Sequence, residues 1–237
     1  MPIHLLDHTL QFPNVDQSEP YGLLAVGGDL SPQRLILAYK LGIFPWFSQG
    51  EPLQWWSPDP RFVLYPDDLK VSKSMRPYFN QKKFRVTFDQ CFKDVIEACS
   101  TSPRGEQYGT WITTEMIQAY CVLHELGIAH SVEVWRGESL VGGLYGIALG
   151  KCFFGESMFS FESNASKFGF ISLVRRLKEL GYLLIDCQQE TEHLGSLGAK
   201  SIPRDRFVEI LESNASEPTH LGSWKEFMHS PPSGQII

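Results

Sequence analysis

The second half of the chain alternates strand-like and helix-like segments, and this order constrains the fold more than any other feature. Alternation of apolar and polar residues indicates a strand, and apolar residues every three or four positions indicate a helix. Predicted strands cover residues 85–88, 131–135, 140–149, 151–159 and 182–187, and predicted helices begin near Asp89, Thr113, Ser163 and Pro203. A meander of strands interrupted by helices predicts an α+β domain.

The first sixty residues have a different character, because Pro, Gly and Trp are dense there. One helix is predicted, with Ser31 as its N-cap, Pro32 at its first position and Gly42 at its end. Residues 44–47 and 55–61 contain too much Pro and Gly for regular elements and are predicted to form ordered loops. We therefore expect a small N-terminal domain over residues 1–60, a second domain over residues 61–212, and a polar, flexible tail over residues 213–237.

Composition excludes several classes of protein. No apolar run approaches the ~18 residues of a membrane span, and residues 1–10 lack the basic start of a signal peptide, so a cytoplasmic location is expected. The five cysteines are odd in number and form no C-x-x-C pair. This spacing argues against a disulfide framework and against a thiolate metal site. We expect no bound metal and no cofactor.

A local basic run stands out from a net charge of −6. Between Lys70 and Arg85 there are six basic residues and no acidic one. Such a patch can hold a phosphate backbone even on an acidic protein, although it could equally be a solvated loop.

The order of elements resembles the acyltransferase fold of the GNAT superfamily. In that fold a glycine-rich turn, [RQ]-x-x-G-x-[GA], wraps the pyrophosphate of acyl-CoA. The corresponding segment here, within residues 159–170, lacks the pattern. Acyl-CoA is therefore not the expected donor, and another activated acyl carrier is required.

Seven motifs in order resemble those of leucyl/phenylalanyl-tRNA–protein transferases. They are L-L-A-V-G-G-D-L-S (23–31), G-I-F-P-W-F (42–47), W-W-S-P-D-P-R (55–61), G-T-W-I (109–112), V-G-G-L-Y-G (141–146), G-E-S-M-F-S (155–160), and D-C-Q (186–188) with H-L-G-S-L-G-A (193–199). The resemblance covers residues 23 to 211. It implies a GNAT-like C-terminal domain, an aminoacyl-tRNA donor carrying Leu, Phe or Met, and a protein acceptor beginning with Arg or Lys. The product would be an N-terminal degradation signal.

The proposed chemistry needs no covalent intermediate, because the ester of an aminoacyl-tRNA is already activated. The enzyme must position an amine, accept its proton and stabilise an oxyanion. By the resemblance, Asp186 orients and polarises Gln188, whose carbonyl oxygen accepts the proton. Glu156 lies in an otherwise apolar strand and could bind the donor's ammonium group or the acceptor's guanidinium.

The remaining candidates bind the substrates. Leu144, Phe153, Met158, Ile185 and Ser196 are predicted to form the pocket for the transferred side chain. Trp46 and Trp111 are predicted to stack on the terminal adenine, assisted by Tyr39 and Tyr120. Lys73, Arg76, Lys82 and Lys83 are predicted to contact acceptor-stem phosphates.

Simpler interpretations remain open for each of these residues. Asp186 and Gln188 could cap the turn after a strand, Glu156 could form an internal salt bridge, and each pocket residue could be ordinary core. Trp55, Trp56 and His193 are expected to be structural. Two other functions also stay open: an acyl-CoA-dependent N-acetyltransferase, and a noncatalytic tRNA-binding module.

Overall fold

The computed structural model describes residues 3–102 and 111–227, and it contains two β-sheets. The smaller sheet comprises β1 (His4–Leu6), β2 (Leu23–Gly27), β3 (Phe44–Pro45) and β4 (Gln54–Trp56), in the order β1-β2-β4-β3. Helix α1 (Pro32–Lys40) begins where predicted, with the Ser31 hydroxyl accepting the Arg34 N–H. The prediction of loops at residues 44–47 and 55–61 is partly wrong. Cross-strand pairing places β3, despite its Pro45, and β4 in this sheet.

The larger sheet has seven strands and lies beyond residue 60. Its strands are β5 (Arg61–Leu64), β6 (Arg85–Phe88), β7 (Ala129–Arg136), β8 (Ser139–Leu149), β9 (Cys152–Ser160), β10 (Leu184–Gln188) and β11 (Lys200–Ile202). Their order is β11-β5-β10-β9-β8-β7-β6, and only β9 and β10 pair in parallel. The α+β class predicted from the sequence is confirmed. The short strands β5 and β11 were not predicted.

Helices cover both faces of the larger sheet. They are α2 (Arg76–Asn80), α3 (Phe92–Thr101), α4 (Thr114–Glu125), α5 (Ala165–Glu179), α6 (Glu192–Ser196), α7 (Arg204–Asn214) and α8 (Trp224–Phe227). The side chains that alternate along the strands divide into two buried clusters. One cluster joins the strands to α1, α3, α4 and α7, and the other joins them to α5 and α8. No helix of the described residues is long and apolar enough to cross a membrane.

The segment predicted as a flexible tail from residue 213 is anchored at two points, because Asn214 and Trp224 are buried against the larger sheet. Trp224 is 1% exposed, and its ring stacks on His130 at 3.8 Å between centroids. The Asp89 carboxylate accepts a hydrogen bond from the main-chain N–H of Trp224 at 2.7 Å. Burying an indole offsets the ordering of an otherwise polar segment. Residues 228–237 lie outside the described residues.

The parallel pairing of β9 and β10 is short, and this positions the site. Cys152–Phe154 pair with Leu184–Asp186. Beyond that point β9 continues alongside β8, while β10 forms a bulge and stays with β5. The two strands therefore separate in the middle of the sheet and leave an opening between them.

Candidate active site

A cavity of about 660 Å³ lies where β9 and β10 separate. Its wall contains nine of the predicted site residues: Trp46, Trp111, Leu144, Phe153, Glu156, Met158, Ile185, Asp186 and Gln188. Residues that are more than 130 positions apart in the sequence thus meet at one concave surface, of the size expected for a small-ligand site.

Glu156 is a buried carboxylate on this wall, and uncharged donors surround it. Its Oε1 accepts hydrogen bonds from the Tyr39 hydroxyl at 2.7 Å and from Gln188 Nε2 at 2.9 Å. Its Oε2 accepts one from the Tyr120 hydroxyl at 3.0 Å. The two tyrosine hydroxyls also contact each other. Glu156 therefore forms no internal salt bridge with the described residues, and its negative charge has dipoles but no cation to balance it.

Burial raises the pKa of Glu156 from its ordinary value of 4.5 to about 7. Hydrogen bonds from Tyr39 and Tyr120 lower this pKa, and the nearby charge of Asp186 raises it. Desolvation prevails, as expected when a carboxylate lacks a cationic partner. The group therefore changes charge near neutral pH, which is a common property of residues at functional sites.

Asp186 has the opposite environment, because it forms a buried ion pair with Arg61. The guanidinium donates to the two carboxylate oxygens through Nε at 2.8 Å and Nη2 at 2.6 Å. Arg61 is held in turn between the rings of Phe44 and Phe207, each with its centroid 4.7 Å from Cζ. Arg61 was not among the predicted site residues. The sequence did contain one indication. Arg61 is the first residue of the apolar strand R-F-V-L, where an unpaired charge would be costly.

Gln188 is placed by a distortion at the end of β10. The strand register shifts between Asp186 and Gln188, and Gln188 has a φ of 61°. The Asp186 carboxylate accepts the Gln188 main-chain N–H at 2.9 Å. The prediction that Asp186 polarises the Gln188 side chain is therefore wrong in its contact: Asp186 fixes the backbone, and Glu156 binds the side-chain amide. No described residue donates to Gln188 Oε1, so this oxygen is available to a ligand.

The apolar part of the wall lies on the α5 side of the sheet. Leu144, Phe153 and Ile185 are buried there, with Met158 half-buried beside them. Phe170 of α5 and Cys187 complete this part and were not predicted as lining residues. Phe170 fits the apolar period of its helix, so nothing in the sequence separates it from ordinary core.

Three predicted substrate residues lie elsewhere. Tyr39 and Tyr120 are fully buried behind Glu156, so they cannot stack on a base as predicted. Ser196 is exposed on α6 and does not line the cavity. Its hydroxyl donates to the His193 carbonyl oxygen at 2.7 Å. His193, predicted to be purely structural, does line the cavity.

Trp46 and Trp111 are partly exposed at the cavity. The backbone of Trp46 is fixed, since its N–H donates to Gln54 and its carbonyl accepts the Trp56 indole N–H at 2.7 Å. Trp55 is fully buried and donates its indole N–H to the Gly27 carbonyl, which supports its structural role. Gly109 and Thr110, which precede Trp111 in its motif, lie outside the described residues.

The predicted basic patch is exposed on and around α2. Lys73, Arg76, Lys82 and Lys83 form no ion pair with any residue in the ranges 3–102 and 111–227. Two cations of α5 extend this surface: Arg175, whose Cζ lies 4.4 Å from the Phe79 ring centroid, and Lys167. Burial lowers the pKa of His193 on the cavity wall, and the charge of Lys167 lowers it further.

Comparison with known proteins identifies the family. Residues 63–212 match the family described as leucyl/phenylalanyl-tRNA protein transferase, and residues 28–59 match the N-terminal domain of the same family. The chain belongs to this family. It is therefore an aminoacyltransferase, as the motifs predicted.

A curated relative agrees with this assignment. A leucyl/phenylalanyl-tRNA–protein transferase from Syntrophus aciditrophicus (strain SB) is 57% identical over 224 residues, which cover 94% of each chain. Among solved structures, L-PGS from Bacillus licheniformis has a TM-score of 0.38 and 13% identity, covering 84% of this chain and 62% of that one. A GCN5-related N-acetyltransferase from Kribbella flavida has a TM-score of 0.31 and 10% identity, covering 72% and 60%. These two structural likenesses are too distant to bear on the transferase's mechanism.

Proposed function

We propose that the transferase moves Leu, Phe or Met from aminoacyl-tRNA to the α-amino group of proteins that begin with Arg or Lys. The proposal rests on the position of the Gln188 amide, which Glu156 holds at the mouth of an apolar pocket. The pocket takes the transferred side chain, and the amide faces the reacting centre. The reaction belongs in the cytoplasm, where aminoacyl-tRNA is made, and its product acts as a degradation signal.

The apolar pocket would select the donor by size and hydrophobicity. Leu144, Phe153, Met158 and Ile185 offer no charged or hydrogen-bonding side chain to an amino acid. Such a surface discriminates by only about 1–3 kcal/mol per methylene, so it tolerates several apolar residues. A charged side chain would be buried there without a partner, which is costly. Transfer of Leu, Phe and Met by one enzyme follows from this tolerance.

Gln188 would handle the single proton of the reaction. The acceptor's neutral α-amine attacks the ester carbonyl, a C–N bond forms, and the C–O bond to the ribose breaks. Gln188 Oε1 accepts a hydrogen bond from the amine as its proton passes to the departing ribose oxygen. An α-amine has a pKa of about 8 and is already partly neutral, so a weak acceptor in a fixed position suffices.

Glu156 would act on the acceptor through its charge and on Gln188 through its hydrogen bond. A carboxylate with no cationic partner is suited to the cationic N-terminal residue of the acceptor. Asp186, already paired with Arg61, would instead hold the Gln188 backbone in place. Trp46 and Trp111 would stack on the terminal adenine, and the basic patch would hold acceptor-stem phosphates.

The direct test is transfer of labelled leucine from leucyl-tRNA to peptides that differ only in their first residue. We expect product with Arg or Lys first and none with Glu first. Absence of product with the folded protein and an Arg peptide would refute the proposed acceptor class.

The tRNA surface is tested by the salt dependence of tRNA binding. Replacing Lys82 and Lys83 together with Ala should weaken binding and reduce the slope of log Kd against log salt by about 1–2. The control pairs Lys93→Ala with Arg206→Ala, two exposed cations outside the patch. An equal change of slope in both double variants would remove the patch from the tRNA interface.

A further inference from the structure

An exposed aromatic ring stands at the mouth of the cavity and has no role in the chemistry described above. Phe161 follows β9, lines the cavity, and is 60% exposed. An isolated exposed apolar residue would need no explanation. This one is notable because its surroundings hold it in place, at the entrance that a substrate must cross.

The position of Phe161 is fixed by a backbone hydrogen bond and by one ring contact. The Phe161 N–H donates to the Val141 carbonyl at 2.8 Å, and the buried Phe159 ring packs 4.8 Å from the Phe161 ring, centroid to centroid. The next residue, Glu162, forms an ion pair with Arg136 at 2.5 Å. The backbone of this rim is therefore fixed, and one aromatic side is left open to a ligand.

The rim connects the cavity to the basic patch. Asn164, three residues beyond Phe161, donates to the Tyr78 hydroxyl of α2 at 3.1 Å, and Lys83 lies 4.9 Å above the Tyr78 ring. Lys167, in the first turn of α5, follows closely in the chain and forms no ion pair with a described residue. A polyanion bound on α2 and entering the cavity would pass this ring.

We propose that Phe161 is a stacking platform for the unpaired base that precedes the terminal nucleotide of the tRNA. This inference rests on the proposed function, in which the terminal adenine and its amino acid occupy the cavity. A single-stranded end presents successive bases, and aromatic side chains bind such bases by stacking. Charge complementarity favours nucleic acid over the acceptor, because a cationic N-terminus would be repelled by this side of the opening.

The experiment compares two competitive inhibitors that carry leucine on a stable amide instead of the ester. One is the leucyl-adenosine amide alone, and the other has a cytidylate added before the adenosine. The ratio of their inhibition constants measures what the second nucleotide contributes. In the unaltered protein we expect this ratio to be at least about 5, the lower bound for one base stacked on an aromatic residue.

In Phe161→Ala the ratio should fall to about 1, while inhibition by the leucyl-adenosine amide stays unchanged. Phe161→Tyr should keep the ratio of the unaltered protein, because it keeps the ring. Leu5→Ala, at an 82% exposed position of the edge strand β1, serves as a surface control and should also keep it.

Three outcomes would overturn the inference: a ratio of about 1 in the unaltered protein, an unchanged ratio in Phe161→Ala, or an effect of Phe161→Ala on the KM of the peptide acceptor instead. The last result would assign the ring to the acceptor. Failure of the proposed function itself is distinguishable, because the unaltered protein would then transfer no leucine to any peptide.

Discussion

Two buried carboxylates stand side by side at this cavity, and their surroundings differ in one respect. Asp186 is paired with a guanidinium through two hydrogen bonds, so its charge is balanced. Glu156 accepts hydrogen bonds from two hydroxyls and one amide, all of them uncharged. Both are nearly inaccessible to water. The comparison shows that the partner, more than the burial, decides what a buried carboxylate can do.

The two environments suit different tasks. A charge that is already balanced makes Asp186 a structural anchor, which fixes β5 to β10 and holds the Gln188 backbone. A charge supported only by dipoles leaves Glu156 with a pKa of about 7, so it can still gain stabilisation from a cationic ligand. One carboxylate thus contributes to the stability of the folded protein, and the other has the properties expected of a group that binds a cationic ligand.

The largest expected effect comes from breaking the balanced site. Arg61→Met should destabilise the protein by about 3–5 kcal/mol, since it leaves Asp186 buried without a counter-charge. The free energy of unfolding in urea measures this loss. Arg206→Met is the matched control, because Arg206 pairs with Glu209 at 2.7 Å on the exposed surface of α7, where solvent screening leaves such pairs little effect on stability.

A double variant sharpens this result. Adding Asp186→Leu to Arg61→Met removes the stranded charge and should restore part of the lost stability. If the double variant is less stable than Arg61→Met alone, the ion pair is not the reason for the loss.

The next effect concerns the pH dependence of stability. The pKa of Glu156 is raised from 4.5 to about 7 on folding, so the folded protein binds this proton more tightly than the unfolded chain does. The resulting stabilisation is complete below the unfolded value and is lost as the pH rises through the folded value. Relative to Glu156→Gln, the unaltered protein should lose on the order of 2 kcal/mol between pH 5 and pH 8.

Urea unfolding of both proteins at the two pH values measures this difference, and other titrating groups cancel in the comparison. Equal pH slopes would mean that folding does not raise the pKa of Glu156.

The sequence predicted which residues lie at the site better than it predicted the contacts between them. Motifs and strand patterns identified Glu156, Asp186 and Gln188 as candidates, because residue type and position relative to a strand can be read from the sequence. Which oxygen binds which donor depends on the β10 bulge and on the pairing of β5 with β10, which join residues 125 positions apart. Periodicity carries no information on such contacts.

The wrong predictions likewise concern contacts between residues that are distant in sequence. Arg61 and Phe170 were missed because each is defined by a partner distant in sequence. Tyr39 and Tyr120 lie behind Glu156, because residue type alone does not distinguish a ring that stacks on a base from a hydroxyl that supports a carboxylate. The prediction of a flexible tail overlooked Trp224, whose buried indole anchors a segment that is mostly polar.

A smaller effect is expected where the two carboxylates meet at Gln188. Gln188→Asn suits the φ of 61°, since Asn tolerates positive φ, but its shorter side chain cannot hold the amide in the same place. We expect kcat to fall about tenfold, below the usual range for general base catalysis because an amide is a weak acceptor, with the free energy of unfolding nearly unchanged. Gln118→Asn, on the exposed side of α4, is the control. An unchanged kcat would leave Gln188 without a part in proton transfer.

The smallest effect separates the two hydroxyls that bind Glu156. The Tyr39 bond is 2.7 Å long and the Tyr120 bond 3.0 Å, and the Tyr39 bond lowers the pKa of Glu156 more. Removing either hydroxyl withdraws support from the ionised form, so both Tyr39→Phe and Tyr120→Phe should raise this pKa, and Tyr39→Phe should raise it further. The carboxyl ¹³C shift of labelled glutamate follows the titration directly. A larger rise in Tyr120→Phe would reverse the ranking, and a fall in either variant would mean that the hydroxyls do not support the charge that makes Glu156 different from Asp186.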